Sequence, residues 1–213
     1  MTVDCILFDF DGTLAHTEPL YTRAYRETML RFAGVDPEPD ELRGFINMTA
    51  SEFAARFPST EAMVAFEQIY HELHPEAIDA FEGVPEMLGA LRAAGIALAV
   101  VSLKPRRAGE IELGLCGLRD LVDADVWGDD VPRPKPAPDT ALEALARLGA
   151  VPGRALVVGD SPSDIHMAEA AGIAHAGVLW GGASRDRLVA AGATWLLESP
   201  TDLLERLIQY REL

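Results

Sequence analysis

Val3 to Phe8 is a short apolar stretch broken only by Asp4, and it runs into Asp9-Phe10-Asp11-Gly12. A brief apolar run that ends in a turn signal reads as a buried strand entering a loop. The pattern recurs: Ile96 to Val101 ends in Ser102, Ala155 to Val158 in Gly159-Asp160, and Ile173 to Leu179 in Trp180-Gly181-Gly182. Between these, Pro85 to Ala94, Arg106 to Leu115, Ala137 to Leu148 and Pro162 to Ala171 carry apolar residues at helical spacing. Strands alternating with helices predict crossover connections and therefore an α/β fold, a Rossmann-like parallel sheet covered by helices on both faces.

From Ala15 to Phe81 the alternation stops. This stretch holds no convincing strand but shows amphipathic patterns over Leu20 to Phe32, Glu52 to Phe57 and Glu61 to Leu73, punctuated by Pro37, Pro39, Pro58 and Pro75. Phe81-Glu82-Gly83-Val84-Pro85 reads as the linker back to the sheet. The expected organisation is a core of residues 1–14 and 83–213 with a helical insert, 15–82. The spacings of Tyr21, Tyr25, Phe32, Phe53, Phe57 and Phe66 suit packing within that insert. His71-Glu72-Leu73-His74 puts two histidines at i, i+3 but lacks the His-Glu-x-x-His zinc spacing, so it reads as surface.

Composition narrows the function. A 213-residue chain that is 49% hydrophobic can bury a sizeable core. Its formal charge of −16 repels a polyanionic backbone, so nucleic acid is not an expected partner. An anionic small substrate would need a metal cation and a few placed basic groups to reverse the field locally. Two cysteines, Cys5 and Cys116, make no disulfide framework and fit a reducing compartment. No apolar run approaches the ~20 residues of a membrane span, and no secretory pattern opens the chain, so a soluble cytoplasmic protein is expected, with no membrane partner.

Ligands of open parallel sheets gather at the carboxyl ends of the strands, where every polar cluster of this sequence also falls. Asp9 and Asp11 stand two apart as the first strand ends, so extended geometry would turn both carboxylates to one side. Gly12 lets the backbone approach a phosphate closely. A calcium loop starting at Asp9 would want Gly and Glu where Leu14 and Leu20 stand, which leaves a plain Asp-Gly turn as the alternative. Asp160 and Asp164 offer hard oxygen ligands suited to Mg²⁺, although Ser161, Pro162 and Asp164 also form a helix-capping pattern. Lys135 is fixed among Pro132, Pro134, Pro136 and Pro138 in acidic surroundings. Ser102 offers a hydroxyl to a phosphate oxygen.

In this order the clusters resemble the four motifs of the haloacid dehalogenase superfamily of phosphohydrolases, and within it the phosphoglycolate-phosphatase-like branch. The motifs stand here as Asp9-Phe10-Asp11-Gly12-Thr13-Leu14, Ser102, Lys135 and Gly159-Asp160-Ser161-Pro162-Ser163-Asp164, with Gly128-Asp129-Asp130 as a further likeness. The resemblance spans nearly the whole chain and makes the insert a small helical cap. It implies Mg²⁺-dependent hydrolysis of a small phosphorylated metabolite by a monomer or homodimer. Asp9 would form an aspartyl-phosphate while Asp11 serves as acid and then base. Mg²⁺ would be held by Asp9, the Asp11 backbone carbonyl and Asp160, with Asp164 in support; Lys135, Ser102 and Gly12 would meet the phosphoryl group, and Lys104 the substrate.

Some positions depart from the pattern. His16 replaces a common Asp and reads as a residue at the mouth of the site; Leu103 replaces a common Asn. Asp11 argues against a dehalogenase, which usually carries Tyr there. Tyr21 falls where β-phosphoglucomutases carry a cap-hinge His and argues against a mutase. Phosphoglycolate, sugar phosphates, nucleotides and pyrophosphate all remain open as substrates, as does a phospholigand-binding protein without turnover.

Overall fold

The computed structural model describes residues 3–42, 53–181 and 184–211. In chain order the elements are β1 (Cys5–Phe8), α1 (Glu18–Phe32), α2 (Pro39–Leu42), α3 (Thr60–Ala77), α4 (Val84–Ala93), β2 (Ala97–Val101), α5 (Arg106–Leu115) and β3 (Ala124–Val126). They continue with α6 (Asp139–Leu148), β4 (Ala155–Gly159), α7 (Pro162–Ala171), β5 (Ala174–Val178), α8 (Arg185–Ala190), β6 (Trp195–Leu197) and α9 (Pro200–Arg211). The chain separates into two compact units, Met1–Ala15 with Ala80–Leu213, and His16–Asp79.

The first unit is a six-stranded parallel sheet in the order β3-β2-β1-β4-β5-β6. β1, β2 and β4 read as unbroken apolar runs because both faces are covered. Ile6, Phe8, Leu98, Val100, Leu156 and Val158 face one side, packed with Met87, Leu88 and Leu91 of α4 and Leu203 and Leu207 of α9. Cys5, Leu7, Ala99, Val101, Ala155 and Val157 face the other, with Ala141, Ala144 and Leu145 of α6 and Met167 and Ala168 of α7. From β1 the chain builds outward through β2 to β3, then returns to place β4 on the opposite side of β1. Strand order therefore reverses between β1 and β4, where such sheets open a crevice at the carboxyl edge.

Two strands are additional to the four that the apolar runs predict. β3 and β6 are three-residue edge strands whose first two residues are only half-buried, so neither supplies the apolar run that marks an inner strand. Among the described residues no helix is long and apolar enough to cross a membrane.

In the second unit α1 packs on α3. Ser59 caps α3, its Oγ accepting from the Ala62 N–H at 3.2 Å. Tyr21 lies tilted against Tyr70 (4.6 Å between centroids), and Phe66 meets Phe53 and Phe57 edge-on or tilted. Tyr25 joins them through Phe57. Phe32 does not: it is 45% exposed at the end of α1, beyond the reach of the cluster. The helix expected from Glu52 to Phe57 begins outside the described residues; Phe53 and Ala54 are helical and the chain then turns.

Candidate active site

The end of β1 feeds a tight loop in which the Phe10 carbonyl accepts the N–H groups of Leu14 and Ala15, both at 2.9 Å. The Asp9 N–H is still part of the sheet, donating to the Val158 carbonyl at 2.8 Å. This register puts the Asp9 carboxylate beside the end of β4, where Asp160 begins the next loop. Oxygens of Asp9, Asp160 and Asp164 lie within 4.8 Å of one another, and all three residues are buried.

Lys135 crosses to this cluster from the proline-rich segment before α6. Its Nζ donates to Asp9 Oδ1 at 2.7 Å and to Asp164 Oδ1 at 2.5 Å, with the lysine side chain 1% exposed. Asp164 uses its other oxygen to cap α7, accepting from the Ser161 N–H at 3.1 Å and the Ser161 hydroxyl at 2.6 Å. The two readings of Asp164 as helix cap and as part of the cluster thus describe one side chain, with a separate oxygen for each.

Asp11 lies apart from the triad. Its Oδ1 is 3.0 Å from the Nζ of Lys104, which also reaches Glu112 Oε2 at 2.5 Å. Ser102 closes β2, its buried Oγ accepting the Lys104 backbone N–H at 3.1 Å. Gly12 has φ +77°, and its own N–H is engaged by the Ala15 carbonyl at 3.0 Å. What its position requires is the missing side chain: a Cβ there would come within 2.4 Å of Asp160 Oδ2. The loop after β5 also reaches the first motif, with Trp180 Nε1 donating to the Thr13 carbonyl at 2.9 Å. Gly182, expected beside it, lies outside the described residues.

Burial and mutual repulsion dominate the electrostatics. Desolvation, reinforced by Asp164 and opposed by Lys135, raises the Asp9 carboxyl to about 7. Asp160 is pushed well above the ordinary carboxylate range by burial first and then by Asp9 and Asp164. For Lys135 burial opposes the charge, but the two carboxylates prevail and its affinity for the proton is raised. Lys135 is therefore a fixed cation among groups that resist full ionisation.

Such a cluster suits a hard divalent cation. Asp160 Oδ1 is buried without a hydrogen-bond partner, an arrangement that costs free energy unless something compensates it. The donors are all carboxylate oxygens, the ligand type that Mg²⁺ takes. Among the described residues this is the one group of three such side chains close enough to hold a metal ion. His71 is exposed on α3 with its ring near Tyr70, and His16 begins the second unit, its N–H donating to the Asp79 carbonyl. Glu112 escaped the sequence reading; the available signal was a carboxylate on the same helix face as Ala108, Gly109 and Leu113.

A parallel sheet with a carboxylate nucleophile candidate, a buried lysine and an acidic cluster at its switch point defines a phosphohydrolase of the haloacid dehalogenase type. The chain belongs to the haloacid dehalogenase-like hydrolase family, whose model matches residues 6–178. A pyrophosphatase PpaX from Bacillus velezensis is 33% identical over 205 residues, 95% of each chain. A provisionally named phosphoglycolate phosphatase from Lactobacillus plantarum is 26% identical, with a TM-score of 0.83 over 96% of this chain and 99% of that one. A hydrolase of the same family from Deinococcus radiodurans, solved with bound phosphate and sodium, is also 26% identical, with a TM-score of 0.83 over 97% and 96% of the two chains.

Proposed function

We propose that the protein hydrolyses a small phosphate monoester with Mg²⁺ through an aspartyl-phosphate on Asp9. The carrying observation is the Lys135 to Asp9 contact of 2.7 Å inside the carboxylate triad. With Oδ1 of Asp9 occupied by the ammonium, Oδ2 is the oxygen that attacks phosphorus. The Asp9–phosphorus bond forms, the bond to the leaving oxygen breaks, and Asp11 passes its proton to that oxygen. Water then attacks phosphorus, Asp11 recovers a proton from it, and Asp9 departs as carboxylate with release of orthophosphate. Lys135 faces charge on the transferring oxygens, and Ser102, at the end of the neighbouring strand, is the hydroxyl assigned to the same group. Mg²⁺, held by Asp9, Asp160 and the Asp11 backbone carbonyl with Asp164 in support, would offset the negative charge of carboxylates and phosphoryl group alike. The inserted unit is read as the cap that selects substrates.

Pyrophosphate is a second reading, favoured by the name of the Bacillus relative at 33% identity. It uses the same steps with phosphate as the leaving group. The test is phosphate release from a panel of monoesters and pyrophosphate, with and without Mg²⁺, beside Asp9→Asn. Release that requires Mg²⁺ and vanishes in Asp9→Asn is expected, and the ranking by kcat/KM separates the two substrate classes. Turnover surviving Asp9→Asn would remove the nucleophile from Asp9; no turnover of any substrate would favour a phospholigand-binding protein.

A further inference from the structure

Glu112 occupies a position on α5 that helical spacing gives to the core. Its neighbours on that face are Ala108, Gly109 and Leu113, yet its carboxylate is 0% exposed. Burying an ion is expensive, and a well-packed apolar pair usually serves stability as well as a buried ion pair does. Its partner is Lys104, 1% exposed, with Nζ 2.5 Å from Glu112 Oε2, 3.0 Å from Asp11 Oδ1 and 5.8 Å from the centre of the Phe10 ring. The lysine is held at its backbone too: its N–H meets Ser102 Oγ and its carbonyl accepts the Gly128 N–H at 2.9 Å. A four-carbon side chain has many rotamers to lose, and here both of its ends are fixed.

We propose that Glu112 is a positioning residue for phosphoryl transfer, holding Lys104 Nζ against Asp11 Oδ1 and so fixing the orientation of the Asp11 carboxylate for proton exchange. This rests on the reading of Asp11 as acid and base. An ammonium 3.0 Å from Oδ1 restricts rotation of the carboxylate that gives a proton to the leaving group and takes one from water. Without Glu112 the ammonium loses the contact at 2.5 Å, and Asp11 can rotate away from the orientation that proton transfer needs.

Leaving-group dependence separates this role from support of the fold. The departure of 4-nitrophenolate needs little protonation, whereas that of phenolate needs much. The variants are Glu112→Gln, the double variant Lys104→Met with Glu112→Met, and Asp11→Asn. Each is assayed by kcat/KM, which reports the step up to phosphoenzyme, on phenyl phosphates from 4-nitrophenyl to unsubstituted, beside melting temperatures. General acid catalysis is worth roughly 10²–10⁴-fold, and misorientation forfeits part of it. Glu112→Gln should keep 4-nitrophenyl phosphate within about threefold of wild type and lose about thirtyfold on phenyl phosphate; the double variant should show the same steepening in the ratio of the two substrates, and Asp11→Asn a larger one. The double variant should also melt near wild type, because the buried charges have gone together. A double variant that keeps the wild-type ratio between the two substrates would overturn the proposal, as would failure of both Glu112 variants to fold. Steepening in Asp11→Asn without steepening in the Glu112 variants removes Glu112 alone. A uniform loss across the series in Asp11→Asn removes the acid role of Asp11, and that of Glu112 with it.

Discussion

Gly12 and Asp160 meet so closely that a Cβ at position 12 would come within 2.4 Å of Asp160 Oδ2. The loop after β1 and the loop after β4 are thereby packed against each other through a missing side chain. The same device recurs one layer out, where a Cβ on Gly181 would come within 1.7 Å of the Gly12 carbonyl oxygen. The carboxylate cluster is held by backbone contacts as much as by its own lysine.

Gly12→Ala should therefore disturb the site and the loop together. The residue has φ +77°, where an L side chain costs about 1–2 kcal/mol, and the new methyl group displaces Asp160. The expected result is a roughly tenfold or greater rise in the Mg²⁺ concentration for half-maximal activity, in line with lost support of a metal ligand. Titration of activity with Mg²⁺, beside a melting curve, measures both effects.

The raised carboxylates set a pH dependence. Asp9 moves from 3.8 to about 7, and Asp160 is raised well above 3.8, both chiefly by burial. The folded protein therefore retains protons that the unfolded chain has released. The stability these groups contribute is fully present below the unfolded value and is lost as pH rises through about 7. Mg²⁺ held by these carboxylates would compete with the same protons, so its stabilising effect should grow from pH 5 to pH 8. Asp160→Asn should melt higher than wild type in EDTA at pH 8 and gain less from Mg²⁺. Thermal melts across pH with EDTA or Mg²⁺ decide this.

Much of the sheet was legible because inner strands covered on both faces need continuous apolar runs; Cys5–Phe8, Ala97–Val101 and Ala155–Gly159 supply them, and Ala174–Val178 does so apart from His175. The carboxylates and lysine brought to their ends were legible for the same reason: a motif at the end of an identifiable strand has a predictable edge. Trp195–Leu197 and Ala124–Val126 were not, since a short edge strand leaves too few apolar positions to show a period. Phe32 misled because aromatic spacing cannot tell the last turn of a helix from its middle. Glu112 was hidden because its meaning depends on Lys104 and Asp11, which only the folded chain brings to it.

Packing behind the site offers a test away from its chemistry. Trp127 is fully buried, edge-on to Phe10 of the first motif at 5.9 Å, and its ring lies where a Cβ on Gly109 would be, 2.2 Å away. The Phe10 ring and helix α5 confine it on two sides. Gly109→Ala should destabilise by about 1–3 kcal/mol through overpacking, and chemical denaturation will measure it. Removing volume in Trp127→Phe at the same time should recover part of the loss, which a purely helical-propensity effect would not allow.

Lys135 joins stability to chemistry, and its removal should separate by condition. Its ammonium compensates Asp9 and Asp164 while Asp160 stands close by, all of them buried. In Lys135→Met those carboxylates lose their counter-ion, and breaking a buried pair from one side costs about 3–5 kcal/mol. That cost falls where Asp9 and Asp160 take up protons, so the deficit against wild type should be largest at pH 8 in EDTA and smaller at pH 5. Mg²⁺ should recover part of it at pH 8 by supplying the missing positive charge. Phosphate release should stay low by about 100-fold or more even with Mg²⁺, since a stabilising charge placed for the transferring oxygens is gone. Lys135→Arg should not restore turnover, because a planar guanidinium cannot fill the site of an ammonium that donates at 2.7 Å to Asp9 and 2.5 Å to Asp164. Denaturant unfolding at the two pH values, with and without Mg²⁺, and kcat/KM for both variants give the decision. Equal destabilisation under all four conditions would mean that the lysine does not compensate these carboxylates.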